Sequence, residues 1–334
     1  MEQAIEQPDA TGQTWKRLYA PVAAELAAAE DALARELSSA DPFVDALVKH
    51  AFRLGGKRLR PALLLLAAKA AGEISRSHIV LAAVVEMIHT ATLVHDDVLD
   101  EASLRRHRET INAKSDNEVS VLVGDFLFTH AFALASSLET TFACQTIGRA
   151  TNIVCAGELR QIGSRGQFAL SEAEYLSIIE AKTAELCACC CCLGAHYAGA
   201  TPATESALER YGRNLGIAFQ IADDLLDLVG DEATMGKSLG TDLDKQKPTL
   251  PLIHLLATRP TAGRRALIER AASRERLARE QLFAELDSSG ALAYAQTKAE
   301  EYAAAARADL QHLPQSAARD VLVSLTELVV SRRD

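Results

Sequence analysis

The sequence lacks an excess of basic residues and has no proline between Pro61 and Pro202. Its 334 residues include 35 Lys and Arg against 45 Asp and Glu, a formal net charge of −10. A general nucleic-acid binder presents a basic surface, so this balance predicts no nucleic-acid partner. Hydrophobic residues make up 49% and charged residues 24%, which suits a large buried core and excludes wholesale disorder.

Long charge-free hydrophobic runs are also missing. The longest apolar runs, such as residues 62–68, are interrupted by charged residues such as Lys69 and are too short to span a bilayer, so we expect no transmembrane segment. The acidic, polar N-terminus lacks the basic and apolar regions of a secretory signal. Five of the seven cysteines crowd between Cys187 and Cys192, which suits small-residue packing better than disulfides or a zinc site. These absences predict a cytoplasmic protein.

Apolar residues recur every three or four positions and never alternate by two over a sustained run. Together with the abundance of alanine and leucine, this predicts an all-α fold, a single large helical bundle with a central active-site cavity. We expect residues 1–15 to be loose and residues 16–334 to form one domain. The predicted helices cover 62–71, 78–99, 117–138, 141–162, 171–198, 203–229, 248–257, 261–286, 289–311 and 316–331.

One acidic pattern, Asp-Asp-x-x-Asp, occurs twice, at 96–100 and at 223–227, each time in an apolar helical segment. The first and last carboxylates of such a motif leave one helix face. Sets of carboxylate oxygens suit hard cations such as Mg²⁺, and buried acidic clusters need counter-charge. We therefore expect the two motifs to face each other and to hold several Mg²⁺ ions. The predicted metal ligands are Asp96, Asp97, Asp100, Asp223, Asp224 and Asp227.

Basic residues accompany the acidic motifs, as the binding of a phosphorylated ligand requires. His89 lies two helical turns before Asp96 and shares its face, so we expect its imidazole to contact phosphate. The other basic candidates are the GGKRLRP segment at 55–61, Arg105, Arg106, Lys182, Lys237 and Lys247.

These segments together resemble the trans-type isoprenyl (polyprenyl) diphosphate synthases, and most closely the octaprenyl-forming members. The resemblance extends from about residue 20 to 333. It is carried by GGKRLRP at 55–61, EMIHTATLVHDDVLDEASLRR at 86–106, VGDFLF at 123–128, KT at 182–183, GIAFQIADDLLD at 216–227 and GKSLGTDLDKQKPTLPL at 236–252.

The resemblance implies a role for each matching position. Isopentenyl diphosphate would be bound by Lys57, Arg60, His89 and Arg106. The allylic prenyl diphosphate would be held by Arg105, Lys182, Thr183, Gln220, Lys237 and Lys247. The catalytic set would be Asp96, Asp100, Arg105, Lys182, Asp223 and Lys237. Three Mg²⁺ ions per active site and a homodimer are also implied.

Product length depends on the residues that precede the first acidic motif. They should line a tunnel for the growing chain, with a rise of about 5.4 Å per turn, roughly one isoprene unit. Ala91 and Thr92 are small where short-chain members of the family carry aromatic residues, which favours a product of C20 or longer. The resemblance points further, to elongation of farnesyl diphosphate to about C40 for a quinone side chain. The predicted tunnel residues are Val85, Ile88, Ala91 and Thr92.

Three other functions stay open: a geranylgeranyl (C20) diphosphate synthase, a class I terpene cyclase, and a non-catalytic subunit that tunes product length. A cyclase carries an Asn/Asp-Ser/Thr-Glu triad at the second position, where this chain repeats Asp-Asp-x-x-Asp. A non-catalytic subunit can lose metal ligands, and here none is lost. One departure from the family concerns the Arg-Arg-Gly-Lys pattern, which here reads Arg-Arg-His-Arg at 105–108. We expect the loss of glycine to alter that loop.

Overall fold

A computed structural model describes residues 15, 17–54, 56–229, 240–273 and 275–331. These residues are helical almost throughout, which confirms the predicted all-α fold. Within the described ranges, the β-structure consists of one antiparallel hairpin of β1 (Leu104–Arg105) and β2 (Arg108–Glu109). Of the segment 1–15, which we expect to be loose, only Trp15 is among the described residues. Lys237 lies outside the described residues.

The helices alternate with short turns along the chain. A 3₁₀ turn at Ala20–Val22 precedes the first of them, and a π-helical turn at Glu180–Ala184 joins α8 to α9. In chain order the helices are α1 (Ala23–Glu36), α2 (Pro42–Arg53), α3 (Leu59–Ala71), α4 (Arg76–Leu99), α5 (Ile111–Lys114), α6 (Asn117–Ser136), α7 (Phe142–Gly163), α8 (Glu172–Ile179), α9 (Glu185–Tyr197), α10 (Pro202–Val229), α11 (Thr241–Asp244), α12 (Leu250–Thr258), α13 (Thr261–Ala272), α14 (Arg276–Ser288), α15 (Ala291–Asp309) and α16 (Ala317–Ser331).

The packing divides the chain into two compact units. Unit 1 comprises Met1–Cys144, Cys190–Glu205 and Leu313–Ser324. Unit 2 comprises Gln145–Cys189, Ser206–His312 and Leu325–Asp334. The first acidic motif belongs to unit 1 and the second to unit 2. The expectation of a single domain stays a prediction.

Helix α4 lies at the core of unit 1. All residues of Leu81–Ile88 are buried, and α6 and α3 pack along the helix. A helix that is apolar nearly all round is stable only when it is surrounded, which explains why α4 lies in the core of unit 1. Its start is capped locally, because Ser75 N donates to His78 Nδ1 at 2.9 Å.

Helices α4 and α6 have the length and hydropathy of membrane-spanning helices. The most apolar window of α4 is 67% buried inside the protein, as in the core helix of a globular protein. The corresponding window of α6 is 33% buried, and Val121, Leu122 and Phe126 are exposed on that helix. The absence of a transmembrane segment therefore stays a prediction.

The core of unit 2 is built by α8, α10, α12 and α15. Tyr175 and Ile179 of α8 pack with Ile217 and Ile221 of α10. Helix α10 comes close to the π-helical turn at Gly216, where a Cβ would meet the Ala184 backbone. The glycine thus lets α10 and the π-helical turn approach each other closely.

Two predicted helices are wrong in detail. The predicted helix 261–286 is two helices, because Ser273 is extended (φ −82°, ψ 139°) and its Oγ accepts a hydrogen bond from Glu275 N at 3.1 Å. A serine side chain that binds nearby backbone competes with the helical ladder. The predicted helix 171–198 contains the π-helical turn, which carries Lys182 and Thr183. Single π-helical turns within α-helices occur frequently at functional sites.

Candidate active site

The first acidic motif stands at the C-terminal end of α4. Asp96 is in the last turn, and Asp100 caps the helix through its backbone N–H, which donates to Asp96 O at 2.8 Å. Both carboxylates are half-buried. The C-terminal end of a helix carries the negative pole of the helix dipole, which disfavours anions and favours a cation. The position of the motif thus fits a bound cation.

Asp97 is more deeply buried than the other two carboxylates of the motif, at 2% exposed, and it is ion-paired. Arg105 binds its Oδ1 through Nε at 2.9 Å and through Nη2 at 2.7 Å. The pair ties β1 to the end of α4. Asp97, a predicted metal ligand, and Arg105, a predicted ligand of the allylic diphosphate, are therefore partners of each other in this structure.

The turn of the β1–β2 hairpin has a left-handed backbone. Arg106 has φ 52° and His107 has φ 60°. Glycine populates this region freely, and histidine is one of the non-glycine residues enriched there. His107 thus adopts a glycine-like conformation at the position where the family pattern has glycine.

Arginines surround His89 in unit 1. Burial, followed by the charges of Arg60, Arg106, Arg105 and Arg58, lowers the pKa of His89 well below its ordinary value. The imidazole is therefore neutral near pH 7, and its Nε2 accepts a hydrogen bond from Arg60 Nη1 at 3.1 Å. Three residues of the predicted isopentenyl diphosphate set thus meet in one strongly cationic cluster. Such a concentration of positive charge favours a polyanionic ligand.

Arg58 and Glu86 also belong to this cluster; Arg58 was predicted only as part of the basic segment 55–61, and Glu86 was not among the predicted site residues. Arg58 Nη1 donates to Glu86 Oε1 at 2.5 Å, and Arg58 Nε lies 3.4 Å from Glu30 Oε1. Glu86 is 2% exposed. A glutamate inside the apolar run of α4 was the signal that predicts a buried charge partner. Arg106 packs against the backbone just before Arg58, because a Cβ on Gly56 would overlap the Arg106 guanidinium.

The second acidic motif is the centre of a hydrogen-bond chain in unit 2. Tyr175 Oη donates to Asp224 Oδ2 at 2.6 Å, and Gln220 Nε2 donates to Asp224 Oδ1 at 2.8 Å. Thr183 Oγ1 in turn donates to Gln220 Oε1 at 2.7 Å. Burial, and next the charge of Asp242, raises the pKa of Asp224 to about 8. Burial thus disfavours the charged form of this carboxyl group, and the neighbouring carboxylate of Asp242 adds to the effect.

Asp227 and Asp242 connect the motif to the short helix α11. Asp227 is 2% exposed, and its Oδ2 accepts a hydrogen bond from Asp242 N at 3.1 Å. Lys247 N donates to Asp242 O at 2.8 Å, and Lys247 Nζ lies 3.9 Å from Asp242 Oδ1. Asp242 and Tyr175 were not among the predicted site residues, although Asp242 lies in segment 236–252, which contributes to the family resemblance.

Lys182 is held from two sides in the same unit. Its Nζ lies 2.5 Å from Glu158 Oε2 and donates to Gln161 Oε1 at 2.8 Å. Four of the predicted residues of unit 2 line one pocket, whereas Thr183, Asp223 and Asp227 are not among its lining residues. The polar lining of this pocket includes Tyr175, Lys182, Gln220, Asp224, Asp242 and Lys247.

The side chains of the two motifs fit a divalent cation as counter-charge. Across the described ranges, no three Asp, Glu, His or Cys side chains converge as a ready-made metal site. Asp97, Asp224 and Asp227 instead take hydrogen bonds from protein donors. The oxygen-only donor set, the helix C-terminus beneath Asp96 and the raised pKa of Asp224 still favour a hard cation. The six metal-ligand assignments stay predictions.

The predicted tunnel residues lie on one helix, α4. Val85, Ile88 and Ala91 are at most 1% exposed, and Thr92 is half-buried, with its Oγ1 donating to His89 O at 2.8 Å. They are thus interior side chains that begin one turn before the acidic motif. Their role in product length stays a prediction.

Comparison with known proteins identifies close relatives. Residues 41–286 match the family model described as Polyprenyl synthetase. The chain is 38% identical over 313 residues to octaprenyl diphosphate synthase of Escherichia coli (strain K12), covering 93% of this chain and 96% of that protein. It is 41% identical over 318 residues to the all-trans-nonaprenyl-diphosphate synthase (geranyl-diphosphate specific) of Rhodobacter capsulatus, covering 94% and 97%.

A solved structure with a similar fold is that of polyprenyl synthase from Caulobacter crescentus CB15, complexed with calcium and isoprenyl diphosphate. It has a TM-score of 0.90 and 38% sequence identity, and the match covers 96% of this chain and 98% of that one. That relative thus binds a divalent cation and a prenyl-type diphosphate.

Proposed function

Because the chain belongs to the polyprenyl synthetase family and is a long-chain polyprenyl diphosphate synthase, a prenyltransferase, we propose the following specific reaction. The enzyme condenses isopentenyl diphosphate head-to-tail onto an allylic diphosphate, starting from farnesyl diphosphate. The product is octaprenyl diphosphate, about C40, for a quinone side chain. The reaction depends on Mg²⁺.

The observation that carries this proposal is the arginine cluster around neutral His89. A diphosphate has several anionic oxygens, and Arg60 and Arg106 offer planar donor groups that match them. Neutral His89 accepts from Arg60 and so keeps its other ring N–H as a donor. Arg105 belongs to this cluster and also pairs with Asp97 of the first motif. The arginines would thus bind an anion next to carboxylates that would bind a cation.

The side chains account for the chemistry that the proposal requires. The allylic C–O bond breaks, and the diphosphate leaves with the bonding electron pair. Arg105 in unit 1 and Lys182 in unit 2 are cations of the kind that stabilises the charge developing on departing oxygens. Mg²⁺ would supply electrostatic stabilisation of a diphosphate, and the residues that would hold Mg²⁺ are Asp96 and Asp100 in unit 1 and Asp223 in unit 2.

The carbon–carbon bond then forms at the allylic cation. The isopentenyl double bond attacks the cation, and a proton leaves the adjacent carbon to restore a double bond. The released diphosphate accepts that proton. The extended chain is itself an allylic diphosphate, so the cycle repeats until the interior residues before Asp96 stop elongation.

The proposal includes a homodimer in the cytoplasm. The homodimer is supported by the apolar surface of α6, where Val121 is 43%, Leu122 is 61% and Phe126 is 38% exposed. Exposed apolar residues in such a cluster are typical of a protein interface. Sedimentation equilibrium tests this point: the wild type should sediment as a dimer, and Leu122→Glu should weaken the association.

Product analysis tests the proposed reaction. The purified protein is incubated with Mg²⁺, farnesyl diphosphate and excess labelled isopentenyl diphosphate, and the dephosphorylated chains are sized. A ladder that ends near C40 supports the proposal. A ladder that ends at C20 would support prenyl transfer but would contradict the proposed C40 product. No incorporation of isopentenyl diphosphate with any allylic starter would indicate a non-catalytic subunit.

A further inference from the structure

Trp15 is the only tryptophan of the chain and is 4% exposed. The Lys57 ammonium lies over its ring, with Nζ 5.1 Å from the ring centroid. An ammonium within about 6 Å of an indole face is attracted by the ring quadrupole, and more strongly when both groups are shielded from water. Trp15 thus fixes the end of a side chain that has four rotatable bonds.

Trp15 is itself held in place by the segment that follows it. Tyr19 is 6% exposed, its ring centroid lies 5.8 Å from that of Trp15, and its N–H donates to Trp15 O at 3.0 Å. Lys69 Nζ of α3 donates to Pro21 O at 2.6 Å, which fastens this segment to α3. These contacts hold the Trp15 indole in one position.

Lys57 stands directly before the arginine cluster. Its neighbour Arg58 has a left-handed φ of 50° and is bound by buried Glu86. Arg60, two residues further, contacts His89. The contact between Trp15 and Lys57 therefore lies at one edge of the cationic cluster that the proposed function assigns to isopentenyl diphosphate.

We propose that Trp15 is a positioning residue of the isopentenyl diphosphate site, whose ring holds the Lys57 ammonium where it meets the diphosphate. The inference rests on the proposed function, which makes the anion a diphosphate. The indole face covers one side of the ammonium, and the diphosphate would accept hydrogen bonds from the ammonium N–H groups. Holding Lys57 in advance reduces the conformational entropy that anion binding removes.

The fluorescence of the single tryptophan tests this contact directly. Isopentenyl diphosphate is titrated into the intact protein without an allylic substrate, so that no turnover occurs. We expect a saturable change in Trp15 emission in the wild type, because anion binding alters the field of the ammonium on the ring. The change should be lost in Lys57→Gln and kept in Lys49→Gln, whose exposed lysine pairs with Asp45.

Steady-state kinetics give a second, independent readout. Trp15→Leu should raise KM for isopentenyl diphosphate roughly fivefold, in line with the loss of one cation–π contact, and leave kcat and the allylic KM within about twofold. Trp15→Phe, which keeps an aromatic face, should restore most of the affinity. A residue that only supports the fold would lower stability and kcat together without this split.

Two results would overturn the inference. One is an emission change that is absent in the wild type or persists in Lys57→Gln. The other is an unchanged KM for isopentenyl diphosphate in Trp15→Leu. Failure of the proposed function is distinguishable, because it appears as the absence of prenyl products from the wild type, whatever the emission does.

Discussion

Tyr175 Oη lies 2.6 Å from Asp224 Oδ2, so a buried tyrosine donates a hydrogen bond to the central carboxyl group of the second acidic motif. Tyr175 belongs to α8 and Asp224 to α10, and both are core residues of unit 2. The bond keeps one oxygen of Asp224 turned toward the protein. It also opposes the rise in the pKa of Asp224 that burial and Asp242 cause.

We expect Tyr175→Phe to lower the free energy of unfolding by about 1–2 kcal/mol, since it removes one hydrogen bond to a buried carboxyl group. The apparent affinity for Mg²⁺ should fall as well, because Asp224 loses a fixed orientation. Urea denaturation and the Mg²⁺ dependence of turnover measure the two effects. Tyr302→Phe, a half-buried tyrosine packed against the same core, is the control and should leave the Mg²⁺ dependence unchanged.

Arg58 offers a matched comparison of two carboxylate partners. Glu86 accepts from it at 2.5 Å with 3% side-chain exposure, whereas Glu30 lies at 3.4 Å with 58% exposure. Glu86→Gln should destabilise the protein by about 1.5–3 kcal/mol, as for a hydrogen bond between buried charged groups. Glu30→Gln should cost at most about 0.5 kcal/mol, because exposed ion pairs contribute little. Equal effects in denaturant titrations would contradict the assignment of Glu86 as the main anchor of Arg58.

The backbone of the hairpin turn predicts that glycine at position 107 stabilises the protein. His107 has φ 60°, so His107→Gly relieves left-handed strain while it adds some entropy to the unfolded chain. We expect a net gain in unfolding free energy of roughly 0.5 kcal/mol and unchanged turnover. Arg108→Gly, in the extended strand β2, is the control and should cost about 0.5–1 kcal/mol. Destabilisation by His107→Gly, measured by thermal unfolding, would argue against strain at this position.

The two carboxylates that start the first motif should respond differently to mutation. Asp96→Ala should lower turnover by roughly a hundredfold or more, because it removes a proposed Mg²⁺ ligand, and should leave the fold intact. Asp223→Ala should behave in the same way in the second motif. Asp97→Ala should instead destabilise the protein by about 2–3 kcal/mol, because buried Asp97 pairs with Arg105. Near-normal turnover of a folded Asp96→Ala protein would contradict the assignment.

Product length should depend on Ala91. The side chain is 1% exposed on α4, so Ala91→Phe introduces a ring into a packed interior at an expected cost of about 1–3 kcal/mol. If the growing chain passes this residue, the product should shorten to about C15–C20. The size distribution of the dephosphorylated products measures the effect. Ala82→Phe, a buried alanine more than two turns earlier on α4, controls for general overpacking.

Part of this protein could be predicted from its sequence because the determining patterns are local. Helical periodicity and the absence of proline between Pro61 and Pro202 predicted the all-α fold. Carboxylate spacing predicted the two acidic motifs, which the structure places at or near the C-terminal ends of α4 and α10. His89 and Arg60 were predicted as partners in one site, and they are in hydrogen-bond contact.

Only the tertiary structure decided how the motif side chains are engaged. Asp97 pairs with Arg105 of the following hairpin, and Asp224 pairs with Tyr175, which lies 49 residues away along the chain, because packing brings these separate elements together. Sequence spacing within one helix defines a face, but it does not define which side chain of another element meets that face.

Backbone conformation was the other property that the sequence left undetermined. The π-helical turn that carries Lys182 and the left-handed φ of His107 are visible only in three dimensions. A one-residue expansion of a helix, or a histidine in a conformation typical of glycine, costs little enough that surrounding contacts decide it. Local propensity thus determined the elements and motifs of this protein, and long-range packing determined the geometry of its candidate site.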